Sequence, residues 1–228
     1  MNAKQRVAEH AASFVQDGML VGLGTGSTAD YFIQALARLK QDGLQFNAVS
    51  SSVVSQIKAR ALGLSVLALD QVSEIDLYVD GADEVDPDLV LLKGQGADLV
   101  REKLLAKASR QFLVLVDESK LVDRIGSNFS IPIEVMPFAW QMVKAQLEKA
   151  GGQGDLRRIP GKDNFMLSSH GSLILDMKFP EDMQTSELDD FLNDLPGVVE
   201  HGIFRNLASA VFIGKDDNVE QRWAEANS

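Results

Sequence analysis

Residues 80–103 read Asp80-Gly81-Ala82-Asp83-Glu84-Val85-Asp86-Pro87-Asp88, then Leu89-Val90-Leu91-Leu92, then Lys93-Gly94-Gln95-Gly96-Ala97-Asp98-Leu99-Val100-Arg101-Glu102-Lys103. The apolar triplet Leu77-Tyr78-Val79 feeds this stretch. That places Asp80 just past a strand's carboxyl end, with Gly81 permitting a sharp turn. The second apolar run predicts a short buried strand that delivers Lys93 into a Gly-x-Gly loop. The loop in turn opens a helix bearing Glu102. Carboxylates, a lysine and a flexible anion-ready loop thus come from adjacent strand ends, where open α/β sheets bind ligands.

Outward from this stretch, apolar runs alternate with helical periodicity. Toward the N-terminus, residues 3–17 predict a helix with Val7, Ala11, Phe14 and Val15 on one face. Residues 19–23 predict a buried strand that runs into Gly24-Thr25-Gly26-Ser27-Thr28 and a helix with Phe32, Leu36 and Leu39 inward. A strand at 46–49, a helix carrying Val54, Ile57 and Ala61, and a strand at 65–69 follow. Residues 112–116 supply a further strand after the Glu102 helix. Strands that are apolar on both faces and alternate with helices predict a doubly wound, mostly parallel sheet.

The pattern changes beyond Lys120. Ile131-Pro132-Ile133-Glu134-Val135 predicts an edge strand, because proline cannot donate to a ladder. A helix over 138–149, strands at 156–159, 165–167 and 173–177, a helix ending at Pro196-Gly197 and a strand at 198–204 follow. That order is the split βαβ pattern of ferredoxin-like domains. The expected organisation is α/β. Residues 1–130 and 205–228 form a Rossmann-like catalytic domain, and 131–204 form a smaller inserted α+β domain. Ala210 to Gly214 returns to the first sheet, and the polar tail from Lys215 is peripheral.

Composition narrows the function classes. The chain has 228 residues, enough for a real core, with 45% hydrophobic and 24% charged residues. It has no cysteine, which excludes disulfides, thiolate catalysis and cysteine-ligated metals. A net charge of −11 argues against a nucleic-acid partner, and an anionic substrate must meet locally placed cations. No apolar run approaches the roughly 18 residues of a membrane span, and residues 1–16 contain no signal-peptide core. The expectation is a cytoplasmic protein.

Several named motifs fail on inspection. The Gly24–Thr28 loop lies between strand and helix, where free N–H groups and the positive helix end favour an anion. A P-loop needs a lysine before Ser27, and the dinucleotide fingerprint needs glycine where Ser27 stands. The alternative for this loop is a glycine-rich turn with a Ser or Thr cap. Read from Asp83, the calcium pattern needs glycine at position 88 and glutamate at 94, where Asp88 and Gly94 stand. His10, His170 and His201 are scattered. Lys93 ends a buried strand, where an ammonium requires a carboxylate, a ligand or water. Glu102 reads equally as a helix-surface glutamate or as a functional one.

Together the Gly24–Thr28 loop, Ser50-Ser51-Ser52, Asp80-Gly81-Ala82-Asp83-Glu84, Lys93-Gly94-x-Gly96-Ala97, Arg101-Glu102-Lys103 and the Pro196-Gly197-Val198-Val199 turn resemble the A-type ribose-5-phosphate isomerases. The resemblance covers about residues 1–215 in unbroken order. It implies aldose–ketose interconversion of ribose 5-phosphate and ribulose 5-phosphate, without metal or organic cofactor, in a homodimer or homotetramer. It implies that Thr25, Gly26, Ser27 and Thr28 bind substrate, and that Asp80, Gly81, Ala82 and Asp83 lie near the sugar. Lys93 would lie beside the reacting oxygens, within a loop whose Gly94, Gln95 and Gly96 also line the substrate. Glu102 would be the base, Lys120 a further active-site lysine, and Lys4 a phosphate contact. The family usually has glycine where this chain has Gln95, and Asp98 is also unusual. Gln95 is expected to keep φ negative, with Gly94 and Gly96 supplying the unusual dihedrals. The competing readings are a sugar-phosphate sensor domain and a CoA transferase or amino-sugar-phosphate deaminase on the same fold. With about 18 residues before the first strand, the chain has no room there for the helix-turn-helix a repressor would carry.

Overall fold

The computed structural model describes residues 2–215 and 217–225, and the chain divides into two compact units. The first holds the chain up to Ala82, Arg101–Leu121 and the chain from Asn206; the second holds Asp83–Val100 and Val122–Arg205. The second unit therefore takes in residues 83–100 and 122–130 along with the expected 131–204 segment.

The first unit begins with α1 (Ala3–Ala12), whose N-cap Asn2 accepts from the Gln5 N–H at 2.8 Å. β1 (Leu20–Leu23), α2 (Ser27–Gln41), β2 (Asn47–Ser50), α3 (Val53–Ala61) and β3 (Ile75–Gly81) follow. The chain then makes β4 (Glu84–Val85) and β5 (Leu91–Leu92) in the second unit, and α4 (Leu99–Ala108) leads into β6 (Ser109–Asp117).

In the second unit come β7 (Ile131–Val135), α5 (Trp140–Lys149), β8 (Gln153–Leu156), β9 (Leu173–Lys178), α6 (Thr185–Asp194), β10 (Val198–His201) and β11 (Ile203–Phe204). β12 (Ala210–Gly214) and β13 (Val219–Trp223) belong to the first unit.

The six-stranded sheet of the first unit runs β13-β12-β6-β3-β1-β2, parallel throughout except for β13. Its core gathers Val21, Leu23, Val79, Leu113, Leu115 and Phe212 from the strands with Phe32 and Leu36 from α2. Removing such side chains from water drives the packing. The mostly parallel α/β sheet is thus as expected, with four local differences. α1 stops at Ala12, not 17, because Ser13 caps it. Residues 65–69 form no strand: Val66 bridges Ala48 at the sheet's edge, and the chain then turns through a 3₁₀ turn at Leu69–Gln71. On α3 the inward face is Ser55 and Ala59, whereas Val54 and Ile57 are exposed. Within the expected tail, Val219–Trp223 form the edge strand β13, which pairs antiparallel along all of β12.

The second unit holds a four-stranded antiparallel sheet in the order β10-β7-β9-β8, with α5 and α6 in the crossover positions, which is the split βαβ arrangement. A three-stranded antiparallel sheet, β11-β5-β4, stands beside it in the same unit. β7 is not the edge strand that Pro132 suggests; it lies between β10 and β9. Pro132 is tolerated near the strand's start because β10 gives way to β11 at Gly202. There the Pro132 carbonyl accepts from the Gly202 N–H at 2.8 Å, and a Cβ on Gly202 would meet the proline ring at 2.7 Å. β8 ends at Leu156, earlier than the expected strand at 156–159; 158 and 165 make only an isolated bridge, as do 167 and 173. The expected strand at 198–204 is split between two sheets.

Candidate active site

In the first unit the site is built around the end of β3. Asp80 and Gly81 are not beyond the strand; they pair with Val114 and Leu115 as its last residues. Tyr78 and Asp80 stand two apart in the strand and so share a face. The Asp80 carboxylate is almost wholly buried. Its Oδ2 accepts from the Tyr78 hydroxyl at 2.5 Å, and its Oδ1 accepts from the N–H groups of Thr25 at 3.0 Å and Gly81 at 2.8 Å. Glycine at 24 is required by this closeness, because a Cβ there would stand 2.1 Å from Asp80 Oδ1. Asp80 therefore ties the Gly24–Thr28 loop to the strand end.

Burial pushes the Tyr78 phenol well above its usual value, with the charges of Asp80 and Glu102 adding to the effect. The phenol is a neutral donor at working pH. The shared influence also places Glu102, buried on the first turn of α4, near the same phenol as Asp80.

The Gly24–Thr28 loop opens α2. Gly26 is its N-cap, at φ 103, and supplies no side-chain cap. The Thr25 hydroxyl instead joins a buried serine network at the end of β2. It donates to Ser52 Oγ at 2.8 Å and lies 3.1 Å from Ser51 Oγ, while Ser55 Oγ donates to the Gly24 carbonyl at 2.7 Å. Lys4 Nζ donates to Ser27 Oγ at 3.0 Å, which brings a cation to the positive end of the helix. Lys120 closes the 3₁₀ turn Glu118–Lys120 that follows β6.

In the second unit Lys93 follows β5 and is 3% exposed. Its N–H donates to the Gly202 carbonyl at 2.9 Å, and its ammonium lies 5.7 Å from the centroid of the Phe204 ring. Gly94 takes φ 102, and a Cβ there would collide with Leu99. Gln95 is exposed and has no positive φ; Ala97, not Gly96, takes the second unusual dihedral, at φ 65. The Gln95 N–H makes a long 3.4 Å contact to Asp83 Oδ2, and the Asp83 N–H donates to the Leu92 carbonyl at 2.8 Å. The Gly94 and Gln95 carbonyls accept from Arg157.

The rest of the acidic run serves the backbone. Glu84, fully buried, accepts at Oε2 from the Gly126 N–H at 2.6 Å, and at Oε1 from the Asn128 and Phe129 N–H groups at 2.6 and 2.8 Å. Asp86 closes its own turn by accepting from the N–H groups of Asp88 and Val90, and burial pushes its carboxyl up. Among the described residues no group of three or more His, Cys, Asp or Glu side chains could hold a metal ion. Tyr78, Glu84 and Arg157 are the residues that sequence reasoning did not assign a role.

Residues 47–218 match the family model for ribose 5-phosphate isomerase A (phosphoriboisomerase A). The chain is 43% identical to ribose-5-phosphate isomerase A of Thermomicrobium roseum, over 95% of this chain and 92% of that one. It is 42% identical to the Thermococcus kodakarensis protein of the same name, over 96% of each. The solved ribose 5-phosphate isomerase A of Methanocaldococcus jannaschii superposes with a TM-score of 0.91 at 36% identity, covering 97% of this chain and 98% of that one. A solved D-ribose-5-phosphate isomerase in complex with phospho-erythronic acid gives 0.93 at 39% identity, covering 98% and 100%.

Proposed function

The chain belongs to the ribose 5-phosphate isomerase A family of aldose–ketose isomerases, and we propose that it interconverts D-ribose 5-phosphate and D-ribulose 5-phosphate through an enediolate. In the open aldose, Glu102 removes the proton on carbon 2, and the carbonyl electrons move onto oxygen 1. Returning the proton to carbon 1, with transfer of the hydroxyl proton from oxygen 2 to oxygen 1, yields the ketose. Family membership carries this reading, supported by a buried glutamate on the first turn of α4 whose charge acts on the Tyr78 phenol that holds Asp80.

Each part of the site has a role here. The ammonium of Lys93 stabilises charge developing on the enediolate oxygens, an interaction that strengthens only as the transition state forms. The N-terminus of α2, with Lys4 and Ser27, takes the phosphate, whose binding positions the reacting carbons without joining the chemistry. Lys120 assists binding. Asp80 shapes the Gly24–Thr28 loop with its carboxylate, while Asp83, Gly81 and Ala82 lie along the sugar, as do Gly94, Gln95 and Gly96. Phospho-erythronic acid, with a carboxylate and a phosphate, is expected to bind this chain competitively with substrate. The proposal includes action without metal or organic cofactor, a homodimer or homotetramer, a cytoplasmic setting and a place in the non-oxidative pentose phosphate reactions. No helix among the described residues is long and apolar enough to cross a membrane. Direct assay of ribose 5-phosphate conversion by purified protein in EDTA tests the reading; no conversion would reject it.

A further inference from the structure

We infer that Arg157, fixed by Asp176, is a positioning residue for the reaction: its guanidinium sets the direction of two successive peptide groups in the loop that follows Lys93. The inference rests on the reading of that loop as substrate-facing.

The base of the device is rigid. β8 and β9 pair Leu156 with Leu175 and Asp155 with Asp176. Continuing the ladder by one residue makes Arg157 and Asp176 diagonal neighbours on one face, within reach of a long side chain. The Arg157 main chain is held from both sides: its N–H donates to the Ile174 carbonyl at 2.7 Å, and its carbonyl accepts from the Met166 N–H at 2.8 Å. The side chain is 10% exposed, and its Nε and Nη2 donate to the two carboxylate oxygens of Asp176 at 2.8 and 2.6 Å. A bidentate pair of this kind fixes the plane of the guanidinium as well as its position.

The remaining terminal nitrogen, Nη1, is aimed at the loop. It donates to the Gly94 carbonyl and to the Gln95 carbonyl, each at 3.0 Å. Within a trans peptide the carbonyl and the next residue's N–H point opposite ways. Drawing the Gly94 carbonyl toward Arg157 therefore turns the Gln95 N–H away from it, and drawing the Gln95 carbonyl does the same for the Gly96 N–H. The contact from the Gln95 N–H to Asp83 Oδ2 agrees with this direction. One charged fork thus orders the peptides beside Lys93 and presents their donors on the Asp83 side. The arrangement also accounts for glutamine at position 95. Arg157 reads the loop through main-chain oxygens, so the side chain at 95 can stay exposed without loosening it. A lysine at 157 would offer a point charge, unable to hold Asp176 in bidentate fashion and both carbonyls together.

The test compares the wild-type protein with Arg157→Lys and with Asp176→Asn, which leaves the arginine in place but weakens its anchor. Two readouts are taken: ¹⁵N order parameters at Gln95 and Gly96 without substrate, and kcat and KM for ribose 5-phosphate. Arg157→Lys is expected to lower the two order parameters from about 0.85 to below about 0.6, with the rest of β8 and β9 unchanged. Its kcat is expected to fall by at least about tenfold, since small displacements of a catalytic loop are costly. KM should stay within about threefold, because the loss falls on the transition state. Asp176→Asn should shift both readouts in the same direction by less. Unchanged order parameters in an active Arg157→Lys protein would overturn the clamp. So would a loss of kcat that only follows a lowered melting temperature, with Gln95 and Gly96 as ordered as before. If the wild-type protein does not turn over, the isomerase reading falls and takes the catalytic role of Arg157 with it, while the order parameters still decide whether Arg157 holds the loop.

Discussion

Replacing Tyr78 with phenylalanine removes one oxygen from a fully buried site. Its ring stays: it stacks on Phe112 with centroids 4.8 Å apart at 19°, and those contacts do not involve the hydroxyl. What is lost is the donor to Asp80 Oδ2 at 2.5 Å, while the N–H groups of Thr25 and Gly81 still donate to Oδ1. A hydrogen bond to a charged group contributes about 1.5–3 kcal/mol. Tyr78→Phe should therefore cost about 2 kcal/mol in urea unfolding at neutral pH. Asp80 also carries the Thr25 N–H, so the loosened carboxylate lets the Gly24–Thr28 loop drift and kcat/KM should fall by roughly tenfold or more. A double-mutant cycle with Asp80→Asn isolates the pair and should return about 1–2 kcal/mol of coupling. A stability change below about 0.5 kcal/mol, with kcat/KM within twofold of wild type, would refute the claim that the phenol holds Asp80.

Glu84→Gln should be among the most destabilising single changes, because one of the oxygens facing the N–H groups of Gly126, Asn128 and Phe129 becomes an amide nitrogen. A loss of about 3 kcal/mol, read as a melting point lowered on the order of 10 °C, is expected from calorimetry, with an unchanged melting point as the contrary result. Gln95→Gly should alter kcat/KM by less than about tenfold, or roughly 1.4 kcal/mol, since Gln95 is exposed and carries no positive φ; a loss beyond a hundredfold would make its side chain a working group. In steady-state kinetics Lys93→Ala should act chiefly on kcat and Lys120→Ala at least as much on KM. Equal effects on both parameters in both variants would remove the reason for separating the lysines.

The buried strands were legible because parallel strands are apolar on both faces, and β1, β3, β6 and β12 are all such runs. β13 was not: its Glu220, Gln221 and Arg222 read as tail, and only pairing along β12 reveals the edge. α3 misled for a different reason, since its apolar residues face outward and its packing face is small, Ser55 and Ala59. Pro132 was misread as an edge marker because the break at Gly202, 70 residues on, relieves the ladder there. In the site, the spacing of Lys93, Glu102 and the glycine loops carried the family resemblance. Tyr78 could have been found from strand alternation, which puts it on the face of Asp80. No local signal marks Glu84 or Arg157: the N–H groups that Glu84 holds and the loop carbonyls that Arg157 holds lie more than 40 residues away along the chain, and Asp176 is brought to Arg157 only by the pairing of β8 and β9.

The most direct test is turnover of ribose 5-phosphate, in EDTA, by the wild-type protein and by Glu102→Gln. Ribulose 5-phosphate should form with the wild-type protein. In the variant kcat should fall by about a thousandfold while substrate still binds, as loss of a general base typically costs 10²–10⁴. Absence of conversion by the wild-type protein, or a variant that keeps a tenth of wild-type kcat, would contradict proton transfer by Glu102.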